Sequence, residues 1–124
     1  MSRYRNFFRI EYPPESRPVF EYNGEHHEVI NVSEQGAKIS LSKVDDSLKV
    51  GTTLGGTIHF KHPNEDRRLC SISGMILRKD PKTIALQLSE GVPWKQIMDE
   101  QRFLLKAYGT IKQAKRPNRD PQED

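Results

Sequence analysis

The sequence predicts a mainly β protein, a small six-stranded antiparallel β-barrel with a C-terminal α-helix. Three observations carry this expectation. Six short runs alternate apolar and polar residues between turn signals. An Asn23-Gly24 pair parts two of those runs by two residues, the strongest short-range mark of a hairpin. After Pro93 the apolar period changes from that of a strand to that of a helix. The 124 residues suit one domain with a modest core and leave no room for a second.

Taken in order, the chain opens on Arg3-Tyr4-Arg5-Asn6-Phe7-Phe8-Arg9-Ile10, three guanidinium groups and three aromatic rings in eight residues. The double Phe and the Pro13-Pro14 that follow argue against a helix, so residues 1–12 are expected to form a flexible arm. Residues 11–17, with Pro18 beyond them, read as a stiff connector that cannot enter a central strand ladder. Residues 19–22 and 25–32 form the hairpin around Asn23-Gly24. Residues 37–41 follow, with Ala37, Ile39 and Leu41 inward. Residues 42–54 read as a loop over one barrel end, anchored by Val44, Leu48 and Val50. Gly55-Gly56 then opens a strand over 57–60, and the cluster around His62 and Pro63 reads as a turn. Residues 69–77 form a long strand in which Gly74 marks a bulge or bend. After a turn at Asp80-Pro81-Lys82-Thr83 comes the last strand, 84–88. Trp94, Ile97, Met98, Gln101, Leu104, Leu105 and Tyr108 fall on one helical stripe, with Pro93 suited to its first turn and Gly109 to its stop. The body thus spans residues 13–110. Residues 111–124 are almost devoid of apolar side chains and are expected to be a disordered tail.

Charged residues make up 30% of the chain, the formal net charge is +3 and the isoelectric point is near 9.1, a mildly basic surface that suits an anionic ligand without demanding one. One cysteine, Cys70, excludes an internal disulfide and is expected in the core. The N-terminus lacks the apolar run of a signal peptide and no segment has the length of a membrane span, so a cytoplasmic location without membrane insertion is expected. His26 and His27 are adjacent on a strand and point to opposite faces, and His59 and His62 lack companions at ligand spacing, so no metal is expected. Asp45-Asp46 reads as a solvated loop. No nucleophile–base set, carboxylate pair or phosphate-cradling glycine loop marks an enzyme.

Two polar clusters remain. Arg5 and Arg9 stand four apart in the arm, and an arginine fork can grip a phosphate or the O6/N7 edge of guanine with two hydrogen bonds. Asn31 and Ser33 flank a turn ending at Gly36, where glycine permits a positive φ and close approach. The R-x-x-x-R arm followed about twenty residues later by N-x-S-x-x-G resembles the PilZ domain, a bacterial receptor for cyclic di-GMP, over roughly residues 3 to 108. The resemblance implies that Arg5 and Arg9 hold phosphates and guanine edges, that Asn31 and Ser33 contact the ligand and that Gly36 shapes the turn, with Arg3 and Tyr4 as flanking candidates. It also implies a downstream effector protein as partner, cyclic di-GMP as the ligand and no cofactor. Many members carry an arginine where this chain has Tyr4, and an arginine there favours an intercalated ligand pair over a single molecule; Tyr4 leaves both open. Many also place a glycine and an aromatic in the last strand, where this chain runs from Ile84 to Leu88. The competing class is a nucleic-acid-binding β-barrel, which the basic charge permits but which the scattered basic residues and the lack of a surface aromatic run disfavour.

Overall fold

The computed structural model describes residues 9–61 and 68–108. Its strands are β1 (Ile10–Glu11), β2 (Val19–Tyr22), β3 (Glu25–Val32), β4 (Gly36–Ser40), β5 (Thr53–Phe60), β6 (Arg68–Asp80) and β7 (Thr83–Glu90), followed by α1 (Trp94–Tyr108). The strands are ordered β1-β3-β2-β5-β6-β7-β4, and β4 pairs back onto β3. Strands β2 to β7 therefore form a closed six-stranded antiparallel barrel, and β1 is an outlying two-residue strand on β3.

The hairpin forms at Asn23-Gly24, which takes φ of 55° and 80°, the left-handed pair that matches the twist of its flanking strands. Alternation then decides the interior. Phe20, Val29, Ile39, Ile58, Phe60, Ile76 and Ile84 are fully buried, each contributing roughly 1.5–3 kcal/mol by leaving water. The pairing of β6 with β7 shifts register between Ser73 and Gly74 and again between Ile76 and Arg78, so the expected irregularity at Gly74 is present.

Several expectations need correction. Strand β5 begins at Thr53, with Gly55 and Gly56 inside it rather than ahead of it. A side chain at Gly56 would collide with the Phe20 ring at 2.6 Å and the Glu21 carbonyl at 2.5 Å, so glycine there is a packing requirement and not a turn signal. Of the three loop anchors only Leu48 is buried; Val44 and Val50 are exposed. Cys70 is half-buried at the edge of the core, and burial pushes its thiol up. Glu11 joins the β3 ladder, and the prolines after it lead into a 3-10 turn at Pro14–Ser16. The helix buries Ile97, Glu100 and Leu104, whereas Trp94 and Leu105 face solvent, so its packed stripe is narrower than expected and has a carboxylate at its centre. The turn around His62, the helix stop at Gly109 and the tail lie outside the described residues. Among the described residues no helix is long and apolar enough to cross a membrane.

Candidate functional site

Strand β3 places the motif turn. Val29 and Val32 point inward, and a register shift between Val29 and Asn31 absorbs the intervening Ile30, so Asn31 is delivered to the outer wall. There it is paired with Glu11 of β1 on one side and Lys38 of β4 on the other. The turn closes where the Ser33 amide donates to the Gly36 carbonyl at 2.8 Å, and the Leu88 amide donates to the Gln35 carbonyl at 3.0 Å, tying the turn to β7. Among the described residues the side chains of Asn31 and Ser33 make no hydrogen bond. That departs from the self-satisfying turn such clusters usually form; Asn31 is half-buried and Ser33 is buried at 9% exposure, so the serine hydroxyl is largely covered where it stands.

Gly36 does not sit at positive φ; it opens β4 opposite Gln87, and the left-handed glycines of the described chain are Gly24 and Gly51. Its role is spatial and modest, since a Cβ there would meet the Ser33 Oγ at 3.5 Å and the Leu86 carbonyl at 3.6 Å, both ordinary contacts. The glycine that the turn requires is Gly91. A Cβ on Gly91 would lie 1.9 Å from the Glu34 carbonyl oxygen, so the turn rests directly on the backbone that leads into α1.

The arm arrives through β1. Ile10 lies opposite Val32 and Glu11 opposite Asn31, and the Tyr12 amide donates to the Ile30 carbonyl at 3.0 Å. Ile10 is fully buried and Tyr12 nearly so. The Tyr12 hydroxyl donates to buried Glu100 of α1, whose other oxygen accepts from Gln96 Nε2 at 3.4 Å. Burial, followed by the Glu100 charge and this hydrogen bond, pushes the Tyr12 phenol well above its usual value. Ser16 and Tyr108 hydroxyls meet at 2.5 Å, a second clamp between this segment and the helix. Exposed Arg9 directly precedes Ile10, and one further step of the β1–β3 register brings it level with Ser33. Arg9, Asn31, Ser33 and Gly36 are thus gathered at one end of β3; Arg3, Tyr4 and Arg5 lie outside the described residues.

Two residues of this neighbourhood escaped sequence reasoning. Lys38 is readable as outward-facing from the alternation of 37–41, but its place beside Asn31 is a matter of register. Gly91 lies more than fifty residues from the turn it supports, and no local signal points to it. Among the described residues no three His, Cys, Asp or Glu side chains come together as a metal site.

Fold and site define a class: a small domain that carries its polar groups on the outer wall of a closed barrel, where an N-terminal segment runs past them. The family model for the PilZ domain matches residues 3–108, and the chain belongs to that family. The PilZ domain is a cyclic di-GMP-binding domain, a receptor module and not a catalytic one. Compared with curated proteins, the chain finds no match.

Proposed function

We propose that this chain is a cyclic di-GMP receptor that holds its ligand between the N-terminal arm and the outer wall at the β3–β4 turn. The observation that supports it best is the β1–β3 pairing, which leads the arginine arm to the unpartnered side chains of Asn31 and Ser33. In this reading Arg5 and Arg9 grip phosphates and guanine edges, Asn31 and Ser33 complete the contacts, and Arg3 and Tyr4 flank them. Lys38, beside Asn31, adds a cation to a site for a ligand with two phosphodiester charges. The arm's arginines repel one another until an anion gives them a common partner, so binding changes the arm's conformation and with it the surface offered to a cytoplasmic effector protein.

Isothermal titration calorimetry with cyclic di-GMP, GMP and a single-stranded oligonucleotide tests the proposal. Cyclic di-GMP should bind, GMP weakly and the oligonucleotide not at all. Charge-assisted hydrogen bonds are worth roughly 1.5–3 kcal/mol each, so Arg5→Ala and Arg9→Ala should each lower affinity by about one to two orders of magnitude. Ser33→Ala, which removes a neutral contact, should cost less. Unchanged affinity in both arginine variants would sink the site, and preference for the oligonucleotide would replace the function.

A further inference from the structure

The chain's sole tryptophan, Trp94, opens α1 and is 49% exposed. The helix packs through Ile97, Glu100 and Leu104, so the fold does not depend on burying this indole. Exposure alone would mean little, because single apolar residues on a surface are ordinary. Position gives it meaning, since two separate sets of contacts bring Trp94 to the β3–β4 turn. The first lies in the backbone just before it. Gly91 rests on the turn, where a Cβ would come within 1.9 Å of the Glu34 carbonyl oxygen, and only three residues of chain, at most about 11 Å, lead from Gly91 to Trp94. The second runs along the helix. Tyr12 is joined to Glu100 and Ser16 to Tyr108, so the segment behind the arm and α1 run side by side in the same direction. Going back from the Tyr12–Glu100 contact, Arg9 stands three residues away, about 10 Å of extended chain, and Trp94 six residues away, about 9 Å of helix. Arg9 and Trp94 are therefore level with each other, at the end of β3 where Ser33 lies.

We infer that Trp94 is the surface on which a guanine of the ligand stacks. The inference rests on the cyclic di-GMP reading and adds a part that the motif residues do not supply. Arg9, Asn31 and Ser33 offer charge and hydrogen-bonding groups, which meet phosphates and base edges, but a base also has two flat apolar faces to remove from water. Among the described residues of this neighbourhood, Tyr12 is the other aromatic, and it is buried with its hydroxyl on Glu100. Trp94 has both the ring and the exposure. The two kinds of contact are compatible, because a guanine lying face-on against the indole keeps its O6/N7 edge in the ring plane, open to the fork of an arginine. Stacking is tolerant of base identity, so Trp94 contributes affinity while the arginine fork distinguishes guanine.

Because the chain has one tryptophan, its fluorescence reports on Trp94 alone. Cyclic di-GMP is titrated into the full chain with fluorescence and calorimetry followed side by side. The emission should be quenched with the same midpoint that calorimetry gives. Trp94→Ala should weaken binding by roughly five- to 150-fold, the effect of removing one base–aromatic stack. Trp94→Leu, which keeps apolar bulk without a ring face, should lose about as much, and Trp94→Phe should recover most of the affinity. All three should melt within about 2 °C of the wild type, since the indole is outside the core. Calorimetric binding with unmoved emission, or a Trp94→Ala or Trp94→Leu protein that binds as tightly as the wild type, overturns the stacking role and leaves the receptor reading standing. No calorimetric binding of cyclic di-GMP overturns the receptor reading and the stacking role with it.

Discussion

Replacing Tyr12 with phenylalanine removes one oxygen and takes a hydrogen-bond donor from a buried carboxylate. The Tyr12 hydroxyl donates to Glu100, a carboxylate with no solvent exposure at the centre of the helix's packed face. Water cannot reach that position to replace the lost donor, and the contact from Gln96 is long at 3.4 Å. A hydrogen bond to a charged buried group is worth roughly 1.5–3 kcal/mol. For a folded body of about 100 residues, each kcal/mol moves the melting temperature by about 4 °C or more, so Tyr12→Phe should melt some 6–12 °C below the wild type. Replacing both partners by apolar groups, as in Tyr12→Phe with Glu100→Leu, should recover part of the loss because the buried carboxylate is removed together with its tyrosine donor. Thermal melts followed by circular dichroism measure both. A Tyr12→Phe protein melting within about 2 °C of the wild type would show that this bond does not hold the helix to the arm-bearing segment.

Gly91→Ala forces the Glu34 carbonyl back by more than an ångström and moves the turn that carries Ser33, so cyclic di-GMP affinity measured by calorimetry should fall about tenfold or more, although Gly91 belongs to neither motif. Gly36→Ala, with only ordinary contacts and no left-handed φ to satisfy, should melt within about 2 °C of the wild type. The pH dependence of stability should carry the mark of His27. Its buried Nδ1 accepts from the Ser42 amide at 3.1 Å, and burial holds its pKa below the ordinary value despite the opposing pull of Glu25. A depressed histidine contributes stability above its unfolded pKa of about 6.5 that is lost as pH falls through its folded value, so urea midpoints should drop below about pH 6.5, and His27→Gln should flatten that slope.

What the sequence made legible follows from which forces are local. The hairpin at Asn23-Gly24 and the inward set Ala37, Ile39 and Leu41 were readable because a two-residue turn and a one-sided burial pattern leave their periods in the chain itself. Strand β5 was cut short because Gly55 and Gly56 read as a turn, and only the Phe20 ring, thirty-six residues away from Gly56, explains why glycine stands there. Glu100 reads as polar and outward, and its burial depends on a tyrosine eighty-eight positions earlier. At the site, the residue types of Arg9, Asn31 and Ser33 could be singled out one by one. Their meeting could not, because it depends on a two-residue strand too short to show any period.

That short strand has a reason in the lengths of its neighbours. A six-stranded barrel fills its interior with side chains, here Phe20, Ile39, Ile58, Phe60, Ile76 and Ile84, so a polar site has to be built on the outside. The wall itself is paired all round, through the closing β3–β4 ladder. The exception is one edge of β3. This strand has eight residues, but β2 has four and pairs only Glu25 to Glu28, which leaves the far half of that edge, up to Val32, without a barrel partner. Unpaired backbone groups on a buried edge are costly, and the chain answers with the Val29 amide donating to Pro18, the Ile30 carbonyl accepting from Tyr12, and Ile10 and Glu11 pairing with Val32 and Asn31. The mismatch between β2 and β3 therefore creates the opening that the arm fills, and Asn31 and Ser33 lie at the end of the strand where it is filled. Lengthening β2 at its N-terminal end, towards Pro18, would close the barrel wall more completely and shut the arm out of the site.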